Sequence, residues 1–225
     1  MAIKTGNYFF FKSFLYYLCT SKSANMEERI LSKAAELFLN NGVKSVTMDE
    51  IARELGMSKK TIYACFETKN ELVEATSLYI FDGIANGIAE IKKGSNNPIE
   101  ELFSIRNFIL LSLREEKASP EFQLKKYYPE IFAKLRAKQK SLVEASLSEN
   151  IRRGIAEGYY RSEIRENFIA RMYFIGMTGI KDRVIFPKEM FAAEELTESF
   201  LEYHLRAIVT DKGLQILKPF INHNH

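Results

Sequence analysis

The stretch Thr47–Leu72, TMDEIARELGMSKKTIYACFETKNEL, leaves the chain little choice of fold. Met48, Ile51, Ala52 and Leu55 fall at i, i+3, i+4 and i+7, one face of a helix. Thr47 and Glu50 have the spacing of a capping box, which satisfies the orphan N–H groups at a helix start. Gly56 suits a helix end, because glycine enters the left-handed region at little cost. Ser58 is a good N-cap for a second helix over Lys59–Cys65. Thr68 with Glu71 opens a third. Two helices joined by a short turn containing glycine form a helix-turn-helix, whose second helix enters the DNA major groove. Met57 and Ile62 are then expected in the small core, with Lys59, Lys60, Thr61 and Tyr63 facing outward. Those cations, hydroxyl and phenol suit phosphates and base edges.

The same run resembles the DNA-binding domain of the tetracycline-repressor (TetR) family of bacterial regulators, and the upstream ILSKAAELFLNNG is similar to that family's first helix. The likeness is dense over residues 26–75 and weak beyond. It implies an all-α protein in which an N-terminal three-helix DNA-binding domain is followed by a helical domain for effector binding and dimerisation. It implies double-stranded operator DNA as partner, a homodimer, and a small-molecule effector. Thr47, Ser58, Lys59, Lys60, Thr61, Tyr63 and Lys69 are the expected DNA-binding residues, Thr47 and Lys69 on phosphates. One position departs from the family: Cys65 stands where its members usually place His or Tyr, so the phosphate contact made there is not carried over.

Net charge does not make the case for DNA. The whole chain carries +3, and Met26–Ala75 holds seven Lys/Arg against nine Asp/Glu. Placement does: Ser58–Asn70 has three Lys to one Glu. The 225 residues, 46% hydrophobic and 27% charged, suffice for a small and a larger domain with real cores.

Before the head, MAIKTGNYFFFKSFLYYLC is apolar only over Tyr8–Cys19, shorter than the roughly 20 residues of a membrane span. The following CTSKSA is a poor signal-cleavage site. The expectation is a non-essential extension, 1–25, ahead of a chain proper that starts at Met26. An arm packed on the body and a membrane-touching helix are the alternatives. No membrane association and a cytoplasmic location are expected. Cys19 and Cys65 lack C-x-x-C spacing and point to a reducing compartment. Of the three histidines, His204, His223 and His225, the last two lie in an NHNH tail with no acidic neighbour, and no metal or cofactor is expected.

Asn25 is a cap for a first helix over Glu27–Asn40, which Asn41-Gly42 stops. A long helix is expected over Lys69–Lys92, leading out of the head domain (26–75). Asn97-Pro98 reads as cap and first residue of the next. Further helices are expected over Pro98–Lys117, Pro120–Tyr127, Pro129–Glu157, Glu163–Ile180 and Lys188–Asp211. They fill a domain over 76–215, with 216–225 left as a tail. The basic residues of 129–157 read as a solvated helix face, since glutamates interrupt them. Ile164, Phe168, Met172, Ile175 and Gly179 recur on one face, as do Phe191, Leu196, Phe200, His204 and Ile208. Gly176 and Gly179 would admit a close neighbour. Two such helices from each of two chains would make a four-helix dimer interface, as the resemblance implies; internal core is the other reading. Phe103, Phe108, Phe132 and Phe174 are candidates for an aromatic-lined effector pocket. His204 is expected to be packed, not a ligand.

The chain has no Gly-rich phosphate loop and no G-x-S-x-G, and its carboxylates are scattered along helix faces, so no enzyme is expected. The rival reading is a helical sensor or interaction protein with a degenerate DNA head. The outward set Lys59, Lys60, Thr61 and Tyr63 decides for DNA binding.

Overall fold

The computed structural model describes residues 25–112 and 120–221. The expectations for residues 1–24, which include Cys19, and for His223 and His225 lie outside them. Ten α-helices occur among the described residues: α1 (Met26–Asn41), α2 (Met48–Leu55), α3 (Lys59–Cys65), α4 (Lys69–Gly94), α5 (Pro98–Ser112), α6 (Pro120–Tyr127), α7 (Pro129–Ala156), α8 (Glu166–Gly179), α9 (Ala193–Ile208) and α10 (Asp211–Ile221). The only strand-like pairing among those residues is an isolated bridge between Tyr160 and Val209. The fold is all-α, and no described helix is long and apolar enough to cross a membrane.

Local chemistry fixes the helix ends in the N-terminal part. The Asn25 side chain accepts the Glu28 N–H at 2.8 Å, and Thr47 Oγ1 accepts that of Glu50 at 3.1 Å. Thr68 Oγ1 accepts the Glu71 N–H at 3.1 Å, while the Glu71 carboxylate turns back to the Glu67 N–H at 2.8 Å. Each bond satisfies a donor that the helix itself leaves open. Gly56, at φ 63°, caps α2 from the left-handed region, a conformation that would cost an L side chain about 1–2 kcal/mol.

The chain divides into two compact units: up to Ile88 with Leu111–Lys138, and Ala89–Leu110 with Gln139 onward. In the first, Ile30, Phe38, Ile51, Ile62, Phe66 and Leu72 are buried in one cluster. Leu124 of α6 and Ile131 of α7 complete it. A core of this kind is held by apolar area withdrawn from water, at about 25 cal/mol per Å².

In the second unit, Ile99, Phe103, Ile151, Leu205, Ile208 and Leu217 form the core. Inside it lies a closed polar network. Glu101, fully buried, accepts from Asn150 Nδ2 at 2.9 Å and from the Arg153 guanidinium at 2.7 Å. Asn150 also donates to the Pro98 carbonyl at 2.8 Å and accepts from the Tyr160 hydroxyl at 3.0 Å. Every member is satisfied, which is the condition for a buried polar group to be tolerated. Burial pushes the Tyr160 phenol far above its ordinary value, with the Glu101 charge adding to the effect.

His204 is different. It is buried, with the Tyr173 ring edge-on at 4.8 Å, and its Nε2 has no hydrogen-bond partner. Burial lowers its pKa to about 4. The unfolded chain takes up a proton near pH 6.5 that the folded chain refuses until about 4. Stability from this residue is therefore present above pH 6.5 and lost as pH falls through that window. Between pH 7 and pH 4.5 the loss should be on the order of 2–3 kcal/mol, read as the difference between denaturation curves of the parent and of His204→Leu. Equal acid sensitivity in both proteins would disprove it.

Several boundaries differ from those expected. The helices expected to begin at Glu163 and Lys188 begin at Glu166 and Ala193. Neither has a side-chain cap, since Arg165 and Ala192 occupy the cap positions, so no polar signal marked either start. Pro187 begins a turn, its carbonyl accepting the Met190 and Phe191 N–H groups at 3.1 and 3.0 Å. Residues 216–221, expected in a tail, belong to α10, with Leu217 and Ile221 buried. Pro219 lies inside this helix, near its C-terminal end. Gly213 is required there because a Cβ would overlap the Tyr159 carbonyl oxygen. At Gly176 the close neighbour is the Phe200 ring of the same chain, and a Cβ at Gly179 would meet open space.

Candidate nucleic-acid interface

The helix-turn-helix presents α3 on the first unit. Ile62 of α3 is fully buried and Met57 packs half-buried against the same cluster. That anchors α3 by one face and leaves the other to solvent. Lys59, Lys60 and Tyr63 are exposed there. Thr61 is half-buried. Its hydroxyl lies 2.8 Å from the Ser58 hydroxyl, and its N–H donates to the same Ser58 oxygen at 3.1 Å. Ser58 and Thr61 are thus joined in capping the N-terminal end of α3.

Lys59 pairs with Asp49 of α2 at 2.7 Å, and both side chains are more than half exposed. The hydrogen bond to Asp49 and its charge raise the Lys59 pKa. An exposed pair of this kind contributes little to stability. Its effect is on the field: each charge of the pair offsets the other. Lys59 also lies 5.7 Å from the Tyr63 ring.

Lys69 is set deeper than the other lysines. Its ammonium donates to the Lys44 carbonyl at 2.9 Å, and burial lowers its pKa, with the Glu50 charge opposing. It therefore fixes the α1–α2 connection at the start of α4, beside Thr47 at the start of α2. Sequence reasoning named Lys69 but missed Lys44, whose role depends on a bond across 25 positions.

Of the four phenylalanines named as pocket candidates, Phe132 belongs to the first unit and Phe103, Phe108 and Phe174 to the second. Phe132 packs on the core of the first unit. Phe103 is buried in the second, stacked on Phe220 at 4.6 Å. Phe108 and Phe174 are half-buried. A hollow on the second unit is lined by Arg165, Glu166, Asn167, Phe168 and Arg171, none of them among the four. Several basic residues along α7 are held by carboxylates within their own units: Lys134 by Glu74 at 2.8 Å, Lys140 by Glu144 at 3.9 Å and Arg153 by Glu101 at 2.7 Å.

On α8, Phe168, Met172 and Ile175 are 59, 46 and 59% exposed and lie on one face. The stripe expected on α9 is withdrawn from water, with Phe200 half-buried. Leu196, His204 and Ile208 are buried within the second unit, whereas Tyr203, between them in sequence, is 73% exposed.

A capped helix-turn-helix with a cationic, aromatic outer helix defines the class: a DNA-binding transcriptional regulator. Residues 30–76 match the family described as bacterial regulatory proteins, tetR family. The match gives the N-terminal part of the chain a domain of that family. The transcriptional repressor KstR2 of Mycolicibacterium smegmatis is 22% identical over 199 residues, covering 86% of this chain and 95% of its own. The uncharacterised regulator YvaF of Bacillus subtilis is 26% identical over 199 residues, 83% of this chain and 97% of its own. A crystal structure of a TetR-family regulator from Cytophaga hutchinsonii superposes with a TM-score of 0.67 at 16% identity, covering 85% of this chain and 98% of that one; at that identity the likeness is one of fold.

Proposed function

We propose that this chain is a repressor that binds a palindromic operator as a homodimer and is released by a small molecule. The observation that carries the reading is the exposed set Lys59, Lys60 and Tyr63 on a recognition helix anchored by Ile62. Thr47, Ser58, Thr61 and Lys69 complete the DNA-binding set. Helix N-termini at Thr47 and Ser58 add backbone N–H groups suited to phosphates. The head comprises 26–75, and 76–215 is assigned to effector binding and dimerisation.

The dimer reading is supported by the apolar face of α8. Phe168, Met172 and Ile175 leave large side chains in water, which a second copy would cover. Two reading heads related by a two-fold axis require half-sites one helical turn apart, about 34–36 Å, or a multiple of it. The relative KstR2 is named a repressor, which favours repression over activation. For the effector, Phe103, Phe108 and Phe174 are the aromatic candidates in the second unit, and an apolar or aromatic ligand suits them. Release would run through α4, whose first turn belongs to the head and whose last turns belong to the second unit. Such coupling is typically about 1–3 kcal/mol and is reciprocal, so operator DNA should weaken effector binding by the same factor.

Binding isotherms on a palindromic duplex selected by the protein from a random pool test the DNA part. Lys60→Ala should reduce preference for the selected duplex over a scrambled one about tenfold. Lys69→Ala should weaken both duplexes alike and lower the salt slope by about 0.9. Selection that enriched no sequence would remove the regulator reading.

A further inference from the structure

We propose that α6 extends the DNA-binding surface beyond the reading head, with Lys125, Lys126 and Tyr127 joining Lys44 to grip the phosphate backbone beside the bases that α3 reads. The inference rests on the DNA-binding reading above and adds to it a contact from a segment that lies outside residues 26–75. The tie between the two segments is direct. Gln123 Oε1 accepts the Lys44 backbone N–H at 3.0 Å, across 79 positions of sequence. The Lys44 ammonium lies over the Tyr127 ring, 4.2 Å from its centroid. Lys126 approaches the same ring at 5.4 Å and the Phe122 ring at 5.8 Å. The Lys44 carbonyl in turn accepts from Lys69 at 2.9 Å. Lys44 is three residues ahead of Thr47, the cap of α2. The end of α6 is therefore fastened to the connection that runs into the helix-turn-helix, on the side where Thr47 and Lys69 begin their helices.

The chemistry of the patch suits one partner. Lys44, Lys125, Lys126 and Tyr127 are all exposed. Glu121, an acid on the same helix, lies 3.9 Å from Arg136. Lysines in the last turn of a helix complement its dipole, which accounts for the sign of Lys125 and Lys126. It does not account for Lys44, which approaches the same ring from another segment. The positive field around Tyr127 holds its phenol below the ordinary value, with the hydrogen bond to Lys44 the largest cause. Like charges gathered at an exposed surface repel one another, and a polyanion with one charge per about 1.7 Å of axis relieves that repulsion. The phenol adds a donor for a phosphate oxygen. Continuity with the head selects duplex DNA as that polyanion, and contacts of this type position the protein without reading sequence.

The test compares the full chain, Lys125→Ala/Lys126→Ala, and Lys60→Ala on the selected palindromic duplex and on a scrambled duplex of equal length, from 50 to 200 mM salt. Two phosphate contacts correspond to a salt slope lower by about 1.8 for each chain bound. Over that fourfold range the double variant should lose about tenfold less affinity per chain than the parent. Its preference for the selected duplex should be unchanged, and trimming the flanks of the duplex should erase its difference from the parent. Lys125→Glu/Lys126→Glu should weaken binding further at every salt concentration. The extension is overturned if both double variants keep the parental slope and affinity while Lys60→Ala still loses its preference. If the parent itself shows no preference, the regulator reading falls with it.

Discussion

Ile175→Glu should yield a monomer of 26.0 kDa that keeps its fold and loses most of its operator affinity. Ile175 is 59% exposed on α8, in line with Phe168 and Met172, so a carboxylate there meets water in the isolated chain and costs little. In the proposed dimer the same carboxylate would be buried in an apolar contact without a partner, which is strongly unfavourable. Light scattering reads the mass, and circular dichroism checks that the helices persist. Two linked heads on one palindrome typically bind about 10²–10⁴-fold more tightly than one. The variant should lose affinity on that scale on a full operator and little on a half-site. A variant that stayed dimeric would place the interface elsewhere.

Arg153→Met should destabilise the second unit by about 3 kcal/mol. The guanidinium is one of two side-chain donors to the fully buried Glu101 carboxylate, and removing it leaves a buried charge half-served. The figure belongs at the lower end of the range for broken buried pairs, because the Arg153 side chain is 32% exposed. Glu101→Leu/Arg153→Met should recover much of the loss, since replacing both partners with apolar groups removes the stranded charge. Urea denaturation of the three proteins decides it. An Arg153→Met midpoint equal to that of the parent would mean that Asn150 alone suffices for Glu101.

What was legible in the sequence was what is decided over a few residues. Asn25, Thr47, Ser58 and Asn97 cap the helices they were expected to cap, because an N-cap bond spans only two or three positions. The burial of Ile62 and the outward placing of Lys60 and Tyr63 followed from the 3.6-residue period. Two kinds of feature escaped. Helices whose cap position holds Arg165 or Ala192 had no start signal, and residues 216–221 of α10 had been left in a tail. Long-range pairings were also hidden. Nothing near Lys44 announces Gln123, and nothing near Glu101 announces Arg153. Among the phenylalanines, period alone could not separate Phe103, stacked in one core, from Phe132, packed on another.

The burial of Leu124 and Ile131 against the head bears on how parts of such regulators could be exchanged. A chimera that grafts residues 26–75 onto a foreign sensor would leave behind the two side chains that close this head's apolar cluster, along with Gln123. The portable piece is discontinuous: a graft must carry the stretch around 120–138 with it, or supply a substitute of matching shape. Recombination between related genes at a single crossover near residue 75 meets the same obstacle. A head joined that way has to change together with the residues, Leu124 and Ile131, that pack on it.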